Sequence, residues 1–470
     1  MAVDPGAPTR HPVAWRDPEF FDEKSLDAEL RRVFDICHGC RRCFSLCDSF
    51  PRLFDLIDES ETFEVDGVAS ANFESIANAC TLCDMCFMTM CPYTPPHEWN
   101  IDFPHLMLRY RAKQHREGRA PTSASPRLAE TDKNGRLARF IATLMNWGAK
   151  TDNHLTRPLM EKLAGIHRAA RLPQYRNPSL VRWARKNIPQ VNRSAPAFGR
   201  KVAIYATCLA NYNSPAIGEA ARAVLAHNGI ESQVVYPRCC GMPQLEQGDI
   251  ARVAENAHKT AFDLAVWIDK GYDIVALVPS CALMMKFEWP LILPEDENVK
   301  TLSNATFDIT EYIVDIAKKE GLAEGLSPLD GGVAVHLACH ARAQNMGAKA
   351  AEMMRLIPDV DVSIIDRCSG HGGSWGIKKE NFETAIKVGK PAARQALSSN
   401  KKHIVSECPL AGMHLGQGLD RLADAETPAY EIAPHPIILF GRAYGAPSTT
   451  FCYVFCYKTA TQKMADASKH

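Results

Sequence analysis

The chain has 470 residues, 54 Lys and Arg against 54 Asp and Glu, 46% hydrophobic residues and 17 cysteines, enough for two or three packed cores. A formal net charge of zero excludes the sequence-wide basic surface with which proteins displace counterions from nucleic acid, so no nucleic-acid partner is expected. The opening MAVDPGAPTRHPVAWRDPEFFDEK carries proline and both signs of charge where an export signal needs an unbroken apolar core. The longest apolar stretch, Ile274 to Met285, has 12 residues including a proline, short of the roughly 20 that span a bilayer. The expected location is therefore the cytoplasm, where thiol pools oppose disulfides, and the cysteines are read as metal ligands or redox groups.

Two short helices are predicted first, Asp27 to Phe34 (DAELRRVF) and Asn72 to Ala79 (NFESIANA), and each leads into a cysteine cluster. The first cluster is Cys37-x2-Cys40-x2-Cys43-x3-Cys47, with Pro51 beyond it; the second is Cys80-x2-Cys83-x2-Cys86-x4-Cys91-Pro92. Three thiolates two residues apart wrap one face of a cubane, and a fourth, set off near a proline, ligates the other cluster in two-cluster ferredoxins. Two 4Fe-4S clusters are the direct reading, although the x4 gap before Cys91 departs from the usual x3. Structural zinc also takes four thiolates, but zinc ribbons divide them between two distant knuckles, whereas each quartet here lies within 11 or 12 residues. His97, Trp99 and His105 follow the second cluster and are read as packing over it to exclude water.

From about residue 115 to 200 the chain has no cysteine and many prolines, which predicts a helical connector with loops. Leu137, Phe140, Ile141, Leu144 and Met145 form a stripe at helical spacing, with Lys133, Arg136, Arg139 and Trp147 nearby. Such a stripe suits a membrane interface, but packing on the protein's own core is the preferred expectation.

Beyond Lys201 the pattern becomes strand, helix, strand. The runs KVAIYATC, SQVVYPRCC and DIVALVPSC deliver Cys208, the pair Cys239 and Cys240, and Cys281; VAVHLAC, VSIIDRC and HIVSEC deliver Cys339, Cys368 and Cys408. Cys208 and Cys339, Cys239 and Cys368, and Cys281 and Cys408 lie 131, 129 and 127 residues apart, an internal duplication. Each half should be an α/β unit with a mainly parallel sheet whose ligand crevice lies beyond the carboxyl ends of its strands. The expected division is a helical ferredoxin-like region at 1–130, the connector at 131–199, the two repeats at 200–327 and 328–442, and a tail at 443–470.

The first repeat offers four thiols and the second only three, because Ser369 stands where the second cysteine of the pair would be. Ser369, His340 and His371 are candidate fourth ligands there, each weighed against an ordinary structural role. A further iron-sulfur cluster in this duplicated part is expected. Cys452 and Cys456 read as free thiols. No phosphate-cradling loop occurs: GQGLDR at Gly416 lacks the third glycine of a dinucleotide fingerprint. Hydride chemistry is therefore assigned to another polypeptide, and no catalytic residue is named.

The two ferredoxin motifs, Cys239-Cys240-Gly241, Pro279-Ser280-Cys281, and HLACHARAQNMG leading to CSGHGG together resemble the family of the C subunit of anaerobic glycerol-3-phosphate dehydrogenase. They are also similar to the glycolate oxidase iron-sulfur subunit and to a fusion of the C and B subunits of heterodisulfide reductase. The resemblance covers roughly residues 30 to 440. It implies a helical ferredoxin domain followed by a duplicated α/β cysteine-rich (CCG-type) domain. It further implies an electron-transfer subunit that accepts electrons from a flavoprotein dehydrogenase and passes them towards quinone, peripheral to the inner face of the membrane. A catalytic heterodisulfide or thiol reductase is the alternative. Met284 and Ala411 stand where that family's last cysteines would be, which favours a relay.

Overall fold

The computed structural model describes residues 8–119, 126–424, 427–433 and 435–446; Cys452 and Cys456 lie outside them. Four helices form the N-terminal region: α1 (Glu23–Cys40), α2 (Ser49–Asp58), α3 (Phe73–Ala79) and α4 (Phe103–Arg116). The Asp22 carboxylate caps α1 by accepting the Ser25 N–H at 2.8 Å. The helix buries Leu26, Leu30, Val33 and Phe34, the one-sided spacing of an amphipathic helix. Against that face Phe34 meets Phe73 edge-on at 5.1 Å, and Phe50 meets Phe103 at 4.7 Å. Aromatic pairs of this kind add about 0.5–1.5 kcal/mol each beyond burial. The same core runs without interruption into the next unit through Met107, Leu245, Val253, Met284 and Trp289.

Two four-stranded sheets follow, both parallel throughout. The first holds β1 (Lys201–Tyr205), β2 (Glu231–Val235), β3 (Asp273–Ala276) and β4 (Thr306–Asp308) in the order β2-β1-β3-β4. The second repeats that order with β5 (Val333–His336), β6 (Val362–Ile365), β7 (His403–Ser406) and β8 (Glu431–Ala433), as β6-β5-β7-β8. In β1, Ile204 pairs with Val234 on one side and Val275 on the other. β5 and β7 are buried along their whole length, so Val333, Ala334 and Val335, and Ile404 and Val405, follow one another without the polar alternation of a half-exposed strand. Helices Pro215–His227 and Ile250–Ile268 make crossovers in the first half, and Phe382–Ser398 makes one in the second. A shared core of Ile204, Val275, Ile313, Val335, Met353 and Phe440 joins the halves.

The connector does more than link. Ile166 and Ala170 form a small core with Phe382 and Ile386 of the second half, and buried Arg157 donates to the carbonyls of Arg168 at 2.8 Å, His167 at 2.7 Å and Ala170 at 2.6 Å. The apolar stripe, expected on the core, is instead at the surface: Leu137 is 63%, Phe140 66% and Leu144 61% exposed. Its single helix is also broken, into Thr131–Ala138, a 3-10 turn Arg139–Ile141 and Ala142–Gly148. Among the described residues no helix is long and apolar enough to cross a membrane.

Candidate metal centres

The N-terminal thiols sort by space rather than by motif. Cys37 and Cys40 close the last turn of α1, and Cys43 and Cys47 lie in the following loop. Cys80 follows α3 directly, and Cys86 opens a π-helical turn that ends before Cys91. Burial pushes the Cys37 thiol up, reinforced by Cys43, Cys91 and Cys40. Burial likewise raises Cys47, reinforced by Cys83 and Cys80, and Cys86, reinforced by Cys83, Cys80 and Cys47. Each motif's last cysteine thus sits with the other motif's thiols. That exchange is the ligand arrangement of two-cluster ferredoxins.

Buried thiols that raise one another cannot ionise together unless a cationic group compensates them. A soft, multiply charged iron-sulfur core supplies that compensation, and the donor set fits it. Backbone N–H groups aim at the sulfurs: Ser49 and Phe50 at Cys47, Leu82 at Cys80 and Tyr93 at Cys91. Among the described residues no three ligating side chains close on one point as a mononuclear site would have them.

The aromatic cover over the first quartet is not the one expected. Tyr93 lies against Cys40 and Cys91, and Trp99 packs on it with ring centroids 4.5 Å apart and planes inclined at 47°. His97 meets Trp99 at 5.3 Å. His105 is elsewhere, donating towards Glu288 at 3.2 Å in an ion cluster around Arg10.

In the duplicated part the thiols stand two to five residues past the strand ends, where short helices begin. Cys208 starts one such helix and Cys339 another; Cys281 lies in the first turn of Pro279–Leu283, and Cys408 caps Pro409–Leu422. Cys208, Cys239, Cys240 and Cys281 lie beside one another as a continuous run of thiols. Gly241 turns the chain after the pair with φ 90°, open to glycine at no steric cost. The connector covers this run: Asp132 accepts the Cys239 N–H at 2.8 Å, and Thr131 lies beside Cys208 and Cys239. Neither residue carries a sequence signal, since each is a lone polar side chain outside any motif.

The second repeat is put together differently. Cys339 alongside holds the Cys368 thiol down at about 7, helped by the Gly370 N–H at 3.3 Å. Cys408 is oriented by the Ala411 and Leu410 N–H groups, and the charge of Cys281 of the first repeat acts on it. His340 has both ring nitrogens engaged, with Ser280 Oγ at 2.8 Å and the Leu82 carbonyl at 3.3 Å, so it is a brace between units rather than a ligand. The Ser369 carbonyl accepts from His414 at 2.7 Å. Burial drives His371 down to about 3, leaving a neutral ring whose buried Nε2 has no hydrogen-bond partner.

Both halves turn their thiols into one cavity of about 530 Å³, lined by Cys208, Cys240, Cys281, Cys339, Cys368 and Cys408. Its place at the carboxyl ends of both sheets is where open parallel sheets bind ligands.

Residues 202–286 and 333–416 each match the family model described as Cysteine-rich domain. Over 285 residues, 60% of this chain, the sequence is 28% identical to the C subunit of anaerobic glycerol-3-phosphate dehydrogenase of Escherichia coli (strain K12), covering 69% of that protein. It is 29% identical over 192 residues to lactate utilization protein A of Bacillus pumilus (strain SAFR-032), covering 38% of this chain and 75% of that protein. It is 25% identical over 229 residues to the B subunit of fumarate reductase (CoM/CoB) of Methanothermobacter marburgensis, covering 47% of this chain and 43% of that protein. The chain therefore carries the cysteine-rich domain twice, on two sheets of one topology that each deliver thiols beyond their strand ends, and in these stretches it is similar to those relatives.

Proposed function

We propose that this chain is an iron-sulfur electron-transfer subunit of an oxidoreductase complex. It takes electrons from a flavoprotein dehydrogenase acting on glycerol-3-phosphate or a 2-hydroxy acid and relays them towards quinone or another acceptor. The observation that carries the reading is the succession of buried and half-buried thiols, from the Cys37 and Cys91 neighbourhood, through Cys47, Cys80 and Cys86, to the cavity between the repeats. When bound there, 4Fe-4S clusters and a further cluster in the cysteine-rich part supply one-electron transfer at staggered potentials.

The chain's own contribution is electrostatic. N–H groups directed at Cys47, Cys80, Cys91, Cys368 and Cys408 stabilise thiolate charge, and the burial of the sulfurs lowers the local dielectric and amplifies each such bond. Tyr93 and the Thr131–Asp132 turn keep water off the first quartet and off Cys239. Burial of Met284 and Ala411 puts apolar groups where the reductase-type ligand set needs sulfur, which favours the relay over disulfide cleavage. The exposed Leu137, Phe140 and Leu144, with Arg136 and Arg139 beside them, give a basic apolar surface suited to a membrane face or a membrane partner.

Anaerobically purified chain is mixed with glycerol-3-phosphate, lactate or glycolate, with and without its co-purified flavoprotein, and cluster bleaching is followed. Reduction only in the presence of the flavoprotein is expected. Rapid, substrate-specific reduction of the chain alone would refute the relay and favour a catalytic role.

A further inference from the structure

The second repeat has three thiols where the first has four, because Ser369 stands in the place of the paired cysteine. Its surroundings distinguish the side chains that could make good the missing ligand. His340 has both ring nitrogens engaged, with Ser280 Oγ and with the Leu82 carbonyl. The Ser369 hydroxyl holds a proton that it must lose before it becomes a strong donor, whereas imidazole binds iron as the neutral ring. His414 donates from Nδ1 to the Ser369 carbonyl at 2.7 Å and is not part of the cavity wall. His371 lines the inter-repeat cavity together with Cys339, Cys368 and Cys408, and its buried Nε2 has no hydrogen-bond partner among the described residues. A buried polar atom left unpaired is a cost that a bound group would remove.

The loop that carries His371 is fixed on both sides. Gly370 has φ 78° and Gly372 φ 54°. A Cβ at Gly370 would lie 2.0 Å from the Ala385 carbonyl oxygen, and one at Gly372 would lie 2.6 Å from the Thr81 methyl. The loop is thus wedged between the helix Phe382–Ser398 and the second N-terminal motif. Within it the Gly370 N–H donates to Cys368 Sγ at 3.3 Å and the Gly376 N–H to the His371 carbonyl at 3.1 Å, which orients both residues before any metal arrives. Cys368 and His371 are three residues apart, the gap that also separates the first three thiols of each N-terminal motif, so both can reach one compact metal core.

We propose that His371 is a nitrogen ligand of the iron-sulfur centre in the second repeat, completing a set with Cys339, Cys368 and Cys408. The proposal rests on the reading of the chain as an iron-sulfur protein. On ligation a ring lone pair forms one N–Fe bond in the position that a solvent molecule would otherwise take. The other ring nitrogen keeps its proton, and no electron changes hands. Because imidazole is neutral where thiolate is negative, the centre carries less negative charge and its potential rises, as it does where histidine replaces cysteine in Rieske centres. The all-thiolate N-terminal centres then lie at lower potential, and electrons leave the chain from the second repeat.

The test uses full-length chain purified anaerobically, unlabelled and with 15N-labelled histidine. Iron per chain, paramagnetic resonance across a potential series and nitrogen hyperfine coupling are the readouts. Loss in Cys339→Ser identifies the signal of the second repeat. In the parent that signal should carry a nitrogen coupling that changes with the histidine label. The coupling should persist in Ser369→Ala and vanish in His371→Ala. His371→Cys should keep the signal without the coupling and at a lower midpoint potential. Absence of a label-sensitive coupling in the parent overturns the proposal, and this result needs no variant at position 371 to fold. Survival of the coupling in His371→Ala overturns it as well, by passing the ligand role to another histidine. A midpoint in His371→Cys at or above the parent's overturns the assignment of the exit. Should Cys339→Ser change neither iron nor any signal, the reading of the second repeat as a cluster site fails, and the proposal with it.

Discussion

Removing the Arg10 guanidinium should loosen the joint between the N-terminal helices and the first repeat. Arg10 pairs with Asp84 at 2.8 Å, Asp102 at 2.8 Å and Glu288 at 3.1 Å, and lies over the Phe87 ring at 4.5 Å. Its side chain is 12% exposed, and those of Asp84 and Glu288 are 6% and 4%. Although burial opposes charge on Arg10, the three carboxylates hold its pKa well above the usual value. Truncation leaves three acids in a poorly hydrated space with His105 as the remaining cation, on Glu288 at 3.2 Å and Asp102 at 3.4 Å. Breaking a buried ion network by removing one partner costs about 3–5 kcal/mol. Because His105 still compensates two of the acids, Arg10→Ala should fall near the lower end, about 3 kcal/mol by that scale.

The assay is urea unfolding of anaerobically prepared protein followed by tryptophan emission, to which Trp15, whose indole N–H donates to the Ile292 carbonyl at 2.9 Å, contributes. Acid strengthens the test. Burial raises the Asp102 carboxyl, but His105 and Arg10 outweigh it and hold the group at about 2. A folded-state value depressed in this way stabilises above the unfolded value of about 3.9 and loses that increment as pH falls towards the folded value. In Arg10→Ala much of the increment is absent, so the acid transition should move to higher pH. A variant whose urea midpoint and acid transition both match the parent's would refute the reasoning, because the acids would then have found water without cost.

Two further outcomes follow from the thiol and carboxyl environments. Cys91→Ser should remove the centre that depends on Cys37, and Cys47→Ser the centre that depends on Cys80, as read by iron analysis and paramagnetic resonance; stoichiometric zinc with no reducible signal would refute both. Burial raises Glu246 in the cavity wall to about 7, so the stability it contributes is full below about pH 4.3 and is lost as pH rises through 7. Glu246→Gln should therefore match the parent near pH 4 and exceed it at pH 8, and parallel stability curves would show that the carboxyl is solvated.

The parts of this fold that the sequence exposes are those set by local periodicity. Unbroken apolar runs such as KVAIY and VAVH mark buried parallel strands, and their recurrence with cysteines at matching offsets reveals the duplication. That Cys47 should lie near the thiols of the second motif and Cys91 near those of the first was also legible, because the offset fourth cysteine has a general geometric meaning. The apolar stripe at Leu137 to Met145 shows the limit of that logic. Periodicity specifies that residues share a face, but what covers the face is a tertiary fact, and here it is solvent.

Contacts that hold the centres together were hidden for a different reason. Cys83 and Cys339 meet across more than half the chain, and their meeting depends on left-handed backbone at Leu82 and Asp84, residues that carry no turn signal of the kind glycine gives. That backbone is stabilised from outside the loop, by Arg10 on Asp84 and His340 on Leu82. A motif scan treats Cys80, Cys83 and Cys86 as equivalent because they are equally spaced. Spacing along the chain constrains where sulfur can reach, whereas the direction it takes is decided by whichever neighbours can hold a strained turn. In this chain those neighbours are Arg10 of the N-terminal segment and His340 of the second repeat, both far from the loop in the sequence.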